Sequence, residues 1–461
     1  MIMSKNTIEK QNLFENTPVP RAIVELAIPS VIGQIILVVY NMADTFFVGL
    51  TGSDAMITAA TVCMPAFMFL SAISNLFGVG GASVISRALG VRDRERAERV
   101  SSFAVWGCLL VSLIYSLGAW VFLDIFVDLL GGSNPAIHDY ACTYLMVTVV
   151  FGGAVTAMNT LLAHLIRAEG SSFQASVGIA IGGILNIGLD PLFMFVLLKP
   201  GNEILGAALA TSLSNFIALI YFIVLIMRKR ENFCLRVKPS VAMLQGNIPR
   251  NVLSVGLPAC LMTLCENISY AVLDNLMVQA GIAAQAGIGV AKKVNMLAHS
   301  IVRGMTQGVL PLIGYSYAAG KRRRMKEAVF LSGGMSVLVS LVCMIVSLTL
   351  STQLIEIFIK NSSDSVAYGA KFLKILCVGA PFSACAYTII SFFQATGCGE
   401  KSLVLALLRK GVLDIPLMFL LSRLVPVFGI VAATPIADVL CCITALILFF
   451  LFLKKHGSDR T

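Results

Sequence analysis

The stretch NIGLDPLFMF, residues 186–195, sets Asp190 inside a long apolar run whose nearest other charges are Glu169 and Lys199. Asn186, four residues earlier, shares its helix face. Pro191 has no N–H, so the carbonyl of Ile187 loses its helical partner on the neighbouring turn. Carboxylate, amide and spare carbonyl together make an oxygen-rich spot suited to a proton or a small hard cation such as Na+. A second set lies in SVIGQIILVVYNMADTFFVG, where Gln34, Asn41, Asp44 and Thr45 fall at relative positions 0, 7, 10 and 11, close to one stripe of a helix. Upstream, Pro29 gives that helix a hinge. If Asp44 and Asp190 meet, two carboxylates in a low-dielectric setting form a group that loads and releases a proton or Na+, with Thr211 completing the site. The alternative for each acid is a buried packing residue satisfied by one neighbour.

The second half of the chain has more cations. Glu266 and Asp274 precede Lys292, Lys293, Asn295, His299 and Arg303, and Lys371, Lys374, Arg409 and Lys410 follow. Spacings of 0, 3, 7 and 11 put Lys292, Asn295, His299 and Arg303 on one face, a possible polar site with Glu266 and Asp274. One of Lys292 and Lys293 is expected in a buried pair and the other at a membrane interface. His299 is expected to be a hydrogen-bonded core residue.

These side chains must be carried by membrane helices. Hydrophobic residues make up 57% of the chain and charged ones 13%, with a mean hydropathy of +0.88; soluble domains have roughly 25% charged residues. Twelve spans are expected, at 21–50, 56–86, 100–129, 138–166, 174–198, 203–228, 251–280, 286–317, 327–360, 366–396, 402–423 and 427–453. The class is an all-α integral membrane protein with twelve transmembrane helices. Strand-like alternation is missing, and no soluble domain is left over. The N-terminal MIMSKNTIEKQNLFENTPVPR is polar and mixed in charge, unlike a cleavable signal peptide, so the first helix is expected to be its own targeting signal.

The net charge of +10 is explained by topology. Arg87, Arg92, Arg94, Arg96 and Arg99 lie between helices 2 and 3. Arg228, Lys229, Arg230, Arg236, Lys238 and Arg250 lie between 6 and 7, and Lys321, Arg322, Arg323, Arg324 and Lys326 between 8 and 9. By the positive-inside rule these loops and both termini are cytoplasmic, in a plasma (inner) membrane protein that does not bind nucleic acid. The twelve cysteines are expected to be reduced packing residues. An enzyme is disfavoured: no DDxxD, HExxH or Walker pattern occurs, and His138, His164, His299 and His456 are spread over separate segments.

A shift of about 230 residues maps the chain onto itself. SRALGVRDRERAE faces SYAAGKRRRMKEA, pairing Gly90 with Gly320, and Asp44 falls on Asp274. NIGLDPLFMF faces GVLDIPLMFL, bringing Asp190 near Asp414, and Thr211 pairs with Thr434. The expected organisation is two pseudo-symmetric six-helix lobes, 1–228 and 251–461, joined by a cytoplasmic linker at 229–250, with the ligand site in the cleft between them. The copy at Asp414 reads as degenerate, the first half having kept the fuller set of partners.

The segments YNMADTFFVG, GVGGASVISRALG, IRAEG, NIGLDPLF, GAALATSLSN and VLPLIGYSYAAGKRR resemble the multidrug and toxic compound extrusion (MATE) family, in its bacterial MepA- and DinF-like branch. The resemblance covers essentially the whole chain. It implies two lobes around a V-shaped central cavity and antiport of cationic or amphipathic organic compounds against H+ or Na+, by a functional monomer without a cofactor. Asp44, Asn186, Asp190 and Thr211 match the family's first-lobe cation site. Glu266 sits where the NorM-like branch has a functional acid, but the helix-10 aspartate of that branch has no counterpart in 366–396, so the coupling site is placed in the first lobe. A lipid-intermediate flippase of the same superfamily would want a strongly cationic cavity, whereas the first lobe's membrane-depth charges are acidic.

Overall fold

The computed structural model describes residues 11–229, 233–359 and 362–457. Arg230, both chain ends and the side chain of His456 fall outside this set. No strand occurs among the described residues. The first six long helices are α1 (Val19–Leu50), α2 (Asp54–Gly90), α3 (Arg94–Val121), α4 (Pro135–Phe151 and Gly153–Ala168), α5 (Ser172–Leu197) and α6 (Glu203–Arg228). The second six are α7 (Ile248–Val278), α8 (Ile282–Ala318), α9 (Arg322–Thr349), α10 (Ser363–Val378 and Ala380–Thr396), α11 (Gly399–Leu407, Leu408–Asp414 and Ile415–Leu424) and α12 (Phe428–Gly457). Eight of these are long and apolar enough on their own to cross a bilayer, ten counting each bent pair as one span. The other two, α8 and α11, carry cations within the span: Lys292, Lys293 and Arg303 on α8, Arg409 and Lys410 on α11.

Local sequence explains the starts and the interruptions. Ser53, Asp93 and Asn134 each accept a bond from a free backbone N–H at the head of α2, α3 and α4. Spans 3 and 9 are shorter than expected, because each ends in a separate short helix, Leu123–Leu129 or Ser351–Glu356. Helices α4 and α10 are bent by 50° and 43°. At the bends, a Cβ on Gly152 would lie 2.7 Å from Ser212 Oγ, and one on Gly379 2.9 Å from Pro435 Cα. Only glycine lets the backbone approach its neighbour so closely there. In α5 the turn after Pro191 widens into a π-helix over Leu192–Leu197, and α11 has a π segment at Leu408–Asp414. Such wide turns place non-standard backbone beside Asp190 and at Asp414.

The two halves meet near the basic loops. There α7 packs along α2 and α8 along α1, through glycines. A Cβ on Gly256 would stand 1.7 Å from Leu76 O, and one on Gly308 2.6 Å from Leu26 O. Asn75 donates to Thr263 at 2.9 Å, Gln34 to Gln307 at 3.2 Å, and Ser83 to the carbonyl of Gln394. A continuous apolar core joins Ile23 and Leu26 of α1 to Leu312 of α8 and Phe392 of α10. Toward the opposite end the cores separate, one from the first half around Met56 and Tyr144, the other from the second half around Leu273 and Phe372. Between 35 and 47 no residue of α1 is fully buried. Joined near the basic loops and with separate cores toward the other end, the two halves form a V.

Candidate functional site

Helix α5 runs beside α1 at glycine distance. A Cβ on Gly33 would lie 3.3 Å from Ser176 Oγ; further along, one on Gly183 would lie 2.8 Å from Ile36 Cγ2 and 3.2 Å from Tyr40 Cδ1. Continuing this stagger brings Asp44 to the level of Asp190, so the first-half residues converge. Asn186 Nδ2 donates to Asp190 Oδ1 at 3.2 Å and to Thr211 Oγ1 at 3.3 Å, and the three side chains are almost wholly buried. Asp44, Tyr40 and Tyr144 lie in the neighbourhood of Asp190. Asn41 turns back on its own helix, donating to Leu37 O at 2.8 Å. Pro29 lies inside α1, which is helical without interruption from Val19 to Leu50.

Oxygen atoms of this group are left over. Asp44 Oδ1, Asp190 Oδ2 and Asn186 Oδ1 are buried and have no hydrogen-bond partner among the described residues. Among the described residues no cation lies within 4.0 Å of either carboxylate; the ammonium whose charge reaches Asp44 is Lys293 of α8. Two carboxylates in such a place cannot both stay ionised and bare, since a single charge at mid-membrane already costs about 2.5–3.5 kcal/mol on insertion scales. The group is chemically complete only with a proton or a cation, and its spare atoms are the hard oxygens that such ions prefer.

The second half solves the same problem internally. Glu266 is held by Arg303 at 2.8 Å, with Tyr387 beside them, and Asp274 is paired with Lys292. Lys293, by contrast, is half-buried near Asp44. Arg409 donates to Asp438 at 2.7 Å and to Ser383 at 2.8 Å, and its guanidinium lies 4.3 Å from the Tyr387 ring centre. Asp414, the counterpart of Asp190, is not degenerate. It receives Lys410 Nζ at 2.7 Å, Ser269 Oγ at 2.6 Å and Thr434 Oγ1 at 2.9 Å. Lys410 precedes Asp414 by four residues, as Asn186 precedes Asp190, and Thr434 stands for Thr211. A tethered ammonium therefore fills the second copy. The reading that the first half kept the fuller set of partners is corrected: Asp414 has three side-chain donors, one of them charged.

Two contributions were not foreseen from the residues alone. One is Lys410, whose spacing was visible but whose inward direction was not. The other is Arg167, buried where the halves meet and donating to Gln307 Oε1 of α8 at 3.4 Å.

Comparison with known proteins agrees with this architecture. The MatE family model matches twice, over residues 29–192 and 258–420, one match in each half. Multidrug export protein MepA of Staphylococcus aureus strain MSSA476 is 30% identical over 460 residues, and that of Staphylococcus saprophyticus is 29% identical over 455; each alignment covers 98% of both chains. A solved outward-facing conformation of a multidrug resistance MATE family transporter of the MOP superfamily superimposes with a TM-score of 0.86 at 24% identity, covering 99% of each chain. With a family match in each half and relatives aligned end to end, this chain belongs to the MatE family of membrane transporters.

Proposed function

We propose that the protein is a secondary active antiporter that exports cationic or amphipathic organic compounds, drugs among them, in exchange for H+ or Na+. The observation that carries this reading is the contrast between the halves: the Asp44/Asp190 group has unpartnered buried oxygens, while every second-half counterpart named above is matched by the protein's own cation. The unmatched pair is the site that can load and release an ion, with Asn186 and Thr211 as its polar frame. Glu266, Asp274, Lys292 and Arg303 form a neutral, structural wall of the cleft. The names of the relatives support drugs as the exported class. The role is transport without a catalytic step, carried out by one chain that encloses the whole path.

We assign the lobes to 1–228 and 251–461, with the linker at 229–250. The basic loops and both termini are placed in the cytoplasm of a bacterial inner (plasma) membrane by the positive-inside rule. The cleft then opens outward, and ion loading at Asp44 and Asp190, acting on α1 through the hinge at Pro29, couples to expulsion of substrate and reversal of the cleft. The gradient is adequate, because one charge crossing 100 mV carries about 2.3 kcal/mol.

The test is dye efflux in proteoliposomes with pH and sodium gradients imposed separately. Wild-type efflux should follow one of the two gradients, and Asp190→Asn should bring it to the gradient-free background. Undiminished gradient-driven efflux by folded Asp190→Asn protein would remove Asp190 from the coupling site.

A further inference from the structure

Two pairs of side chains at i, i+4 spacing face each other where the chain passes from α3 to α4, at the end of the molecule away from the basic loops. The short helix Leu123–Leu129 carries Asp124 and Asp128, and the first turns of α4 carry His138 and Cys142. His138 Nδ1 is 3.6 Å from Cys142 Sγ, and Cys142 Sγ is 3.8 Å from Asp124 Oδ1. One donor atom from each of Asp124, His138 and Cys142 lies within 4.8 Å of the other two. In a tetrahedral zinc site, with bonds of about 2.0–2.3 Å, neighbouring donors are roughly 3.3–3.6 Å apart. The two measured edges are already near that spacing.

The surroundings add what a metal-bound imidazole needs. The other ring nitrogen, His138 Nε2, is 3.8 Å from Asp128 Oδ1. A carboxylate on that side favours the tautomer that keeps the hydrogen on Nε2, which leaves Nδ1 free to ligate. Asp139 Oδ1, 4.0 Å from Nδ1, adds further negative charge. Thiolate, imidazole and carboxylate together suit a borderline-soft divalent ion and discriminate against Na+ and Mg2+, which prefer all-oxygen sites. The sequence signal is Asp-x3-Asp followed by His-x3-Cys. Neither the scattered histidines nor the presumption of packing cysteines would reveal it.

We propose that Asp124, His138 and Cys142 form a binding site for a divalent cation of the Zn2+ type, with Asp128 orienting the imidazole. Binding replaces the thiol proton of Cys142 by the metal and releases that proton to solvent. Water fills the fourth position, since the site lies at the protein surface. The ion ties the short helix Leu123–Leu129 to the head of α4.

Titration of the metal-stripped, purified protein with Co2+ tests this. Expected are a thiolate-to-cobalt charge-transfer band in the near ultraviolet that saturates at one equivalent, and its loss when Zn2+ is added. Cys142→Ser should abolish the band, and Asp128→Asn should keep its shape while weakening Co2+ binding by about 10- to 100-fold. Zn2+ should raise the Tm of the wild type and not that of Cys142→Ser or Asp124→Asn. Asp124 is exposed, so its variant remains informative if Cys142→Ser folds poorly. A missing band, or one that persists in Cys142→Ser, would overturn the proposal.

Discussion

Lys410 and Asn186 hold equivalent positions, each four residues before an aspartate, and in the proposed coupling the difference between an ammonium and an amide decides which half takes an outside ion. Lys410→Asn strips Asp414 of its only ion-pair partner within 4.0 Å among the described residues. Removing one member of a buried pair costs about 3–5 kcal/mol, so a marked drop in Tm is expected, recovered in large part by adding Asp414→Asn. The single variant's Tm should also rise on acidification or with added Na+, while the wild type's should respond less. A Lys410→Asn protein as stable as the wild type would show that Asp414 does not rely on the ammonium. The first-half group could be read from spacing, because an apolar run makes each polar residue conspicuous and i, i+4 places Asn186 beside Asp190. Which way a long side chain turns could not: Lys292 and Lys410 reach acids, whereas Arg409 finds its acid 29 residues away.

At the scale of helices, α1 joins both halves, its first turns packed into the shared core and its later turns beside the Asp190 helix. Pro29 denies α1 one backbone bond, to the carbonyl of Glu25, which leaves a soft point between these two parts. Pro29→Ala should add that bond and stiffen α1, reducing efflux severalfold or more with little change in Tm. Unchanged efflux would argue against the hinge. The α2–α7 seam gives a second expectation. Gly256→Ala forces a Cβ toward Leu76 O, so in a cysteine-free background the disulfide between Asn75→Cys and Thr263→Cys, positions whose native side chains bond at 2.9 Å, should form much less readily than with Gly256 intact. Hydropathy made the twelve helices readable, but the bends at Gly152 and Gly379 were not. Within an apolar span, a glycine that allows a bend has the same sequence signature as one that allows close packing.

For the molecule as a whole, closure near the basic loops is reinforced by residues just before α1. Phe14 stacks on Tyr315 with ring centres 5.0 Å apart, and Glu15 accepts from the Tyr315 hydroxyl at 2.6 Å while lying 3.4 Å from Arg92 and 3.7 Å from Lys321. Glu15 thus links a loop of the first half to two groups of the second. The Tyr315 hydrogen bond foremost, aided by Gln11, Lys321 and Arg92, holds the Glu15 carboxyl down, from 4.5 to about 2. A depressed carboxylate contributes fully above its ordinary value and loses its contribution only as pH falls toward the lower one. The clamp is therefore constant from pH 5 to 8. Glu15→Gln should weaken closure, seen as greater accessibility of an engineered thiol in the cleft from the basic-loop side, without altering the shape of the transport pH profile in that range. A changed profile would put Glu15 in the coupling step. The duplication was readable because it repeats at a long, regular offset, one family match falling in each half. The clamp was not, since a short polar stretch before a first helix gives no sign of what it touches.

In the proposed cycle the Asp44/Asp190 group exchanges its ion for substrate. The most direct measurement is the proton or sodium released when an exported dye is added to the purified, detergent-solubilised protein, read with a pH indicator or a sodium-selective electrode. The wild type should release one of the two ions stoichiometrically, and the Asp44→Asn and Asp190→Asn variants that still bind the dye should not. Equal release from the wild type and both variants would contradict this exchange.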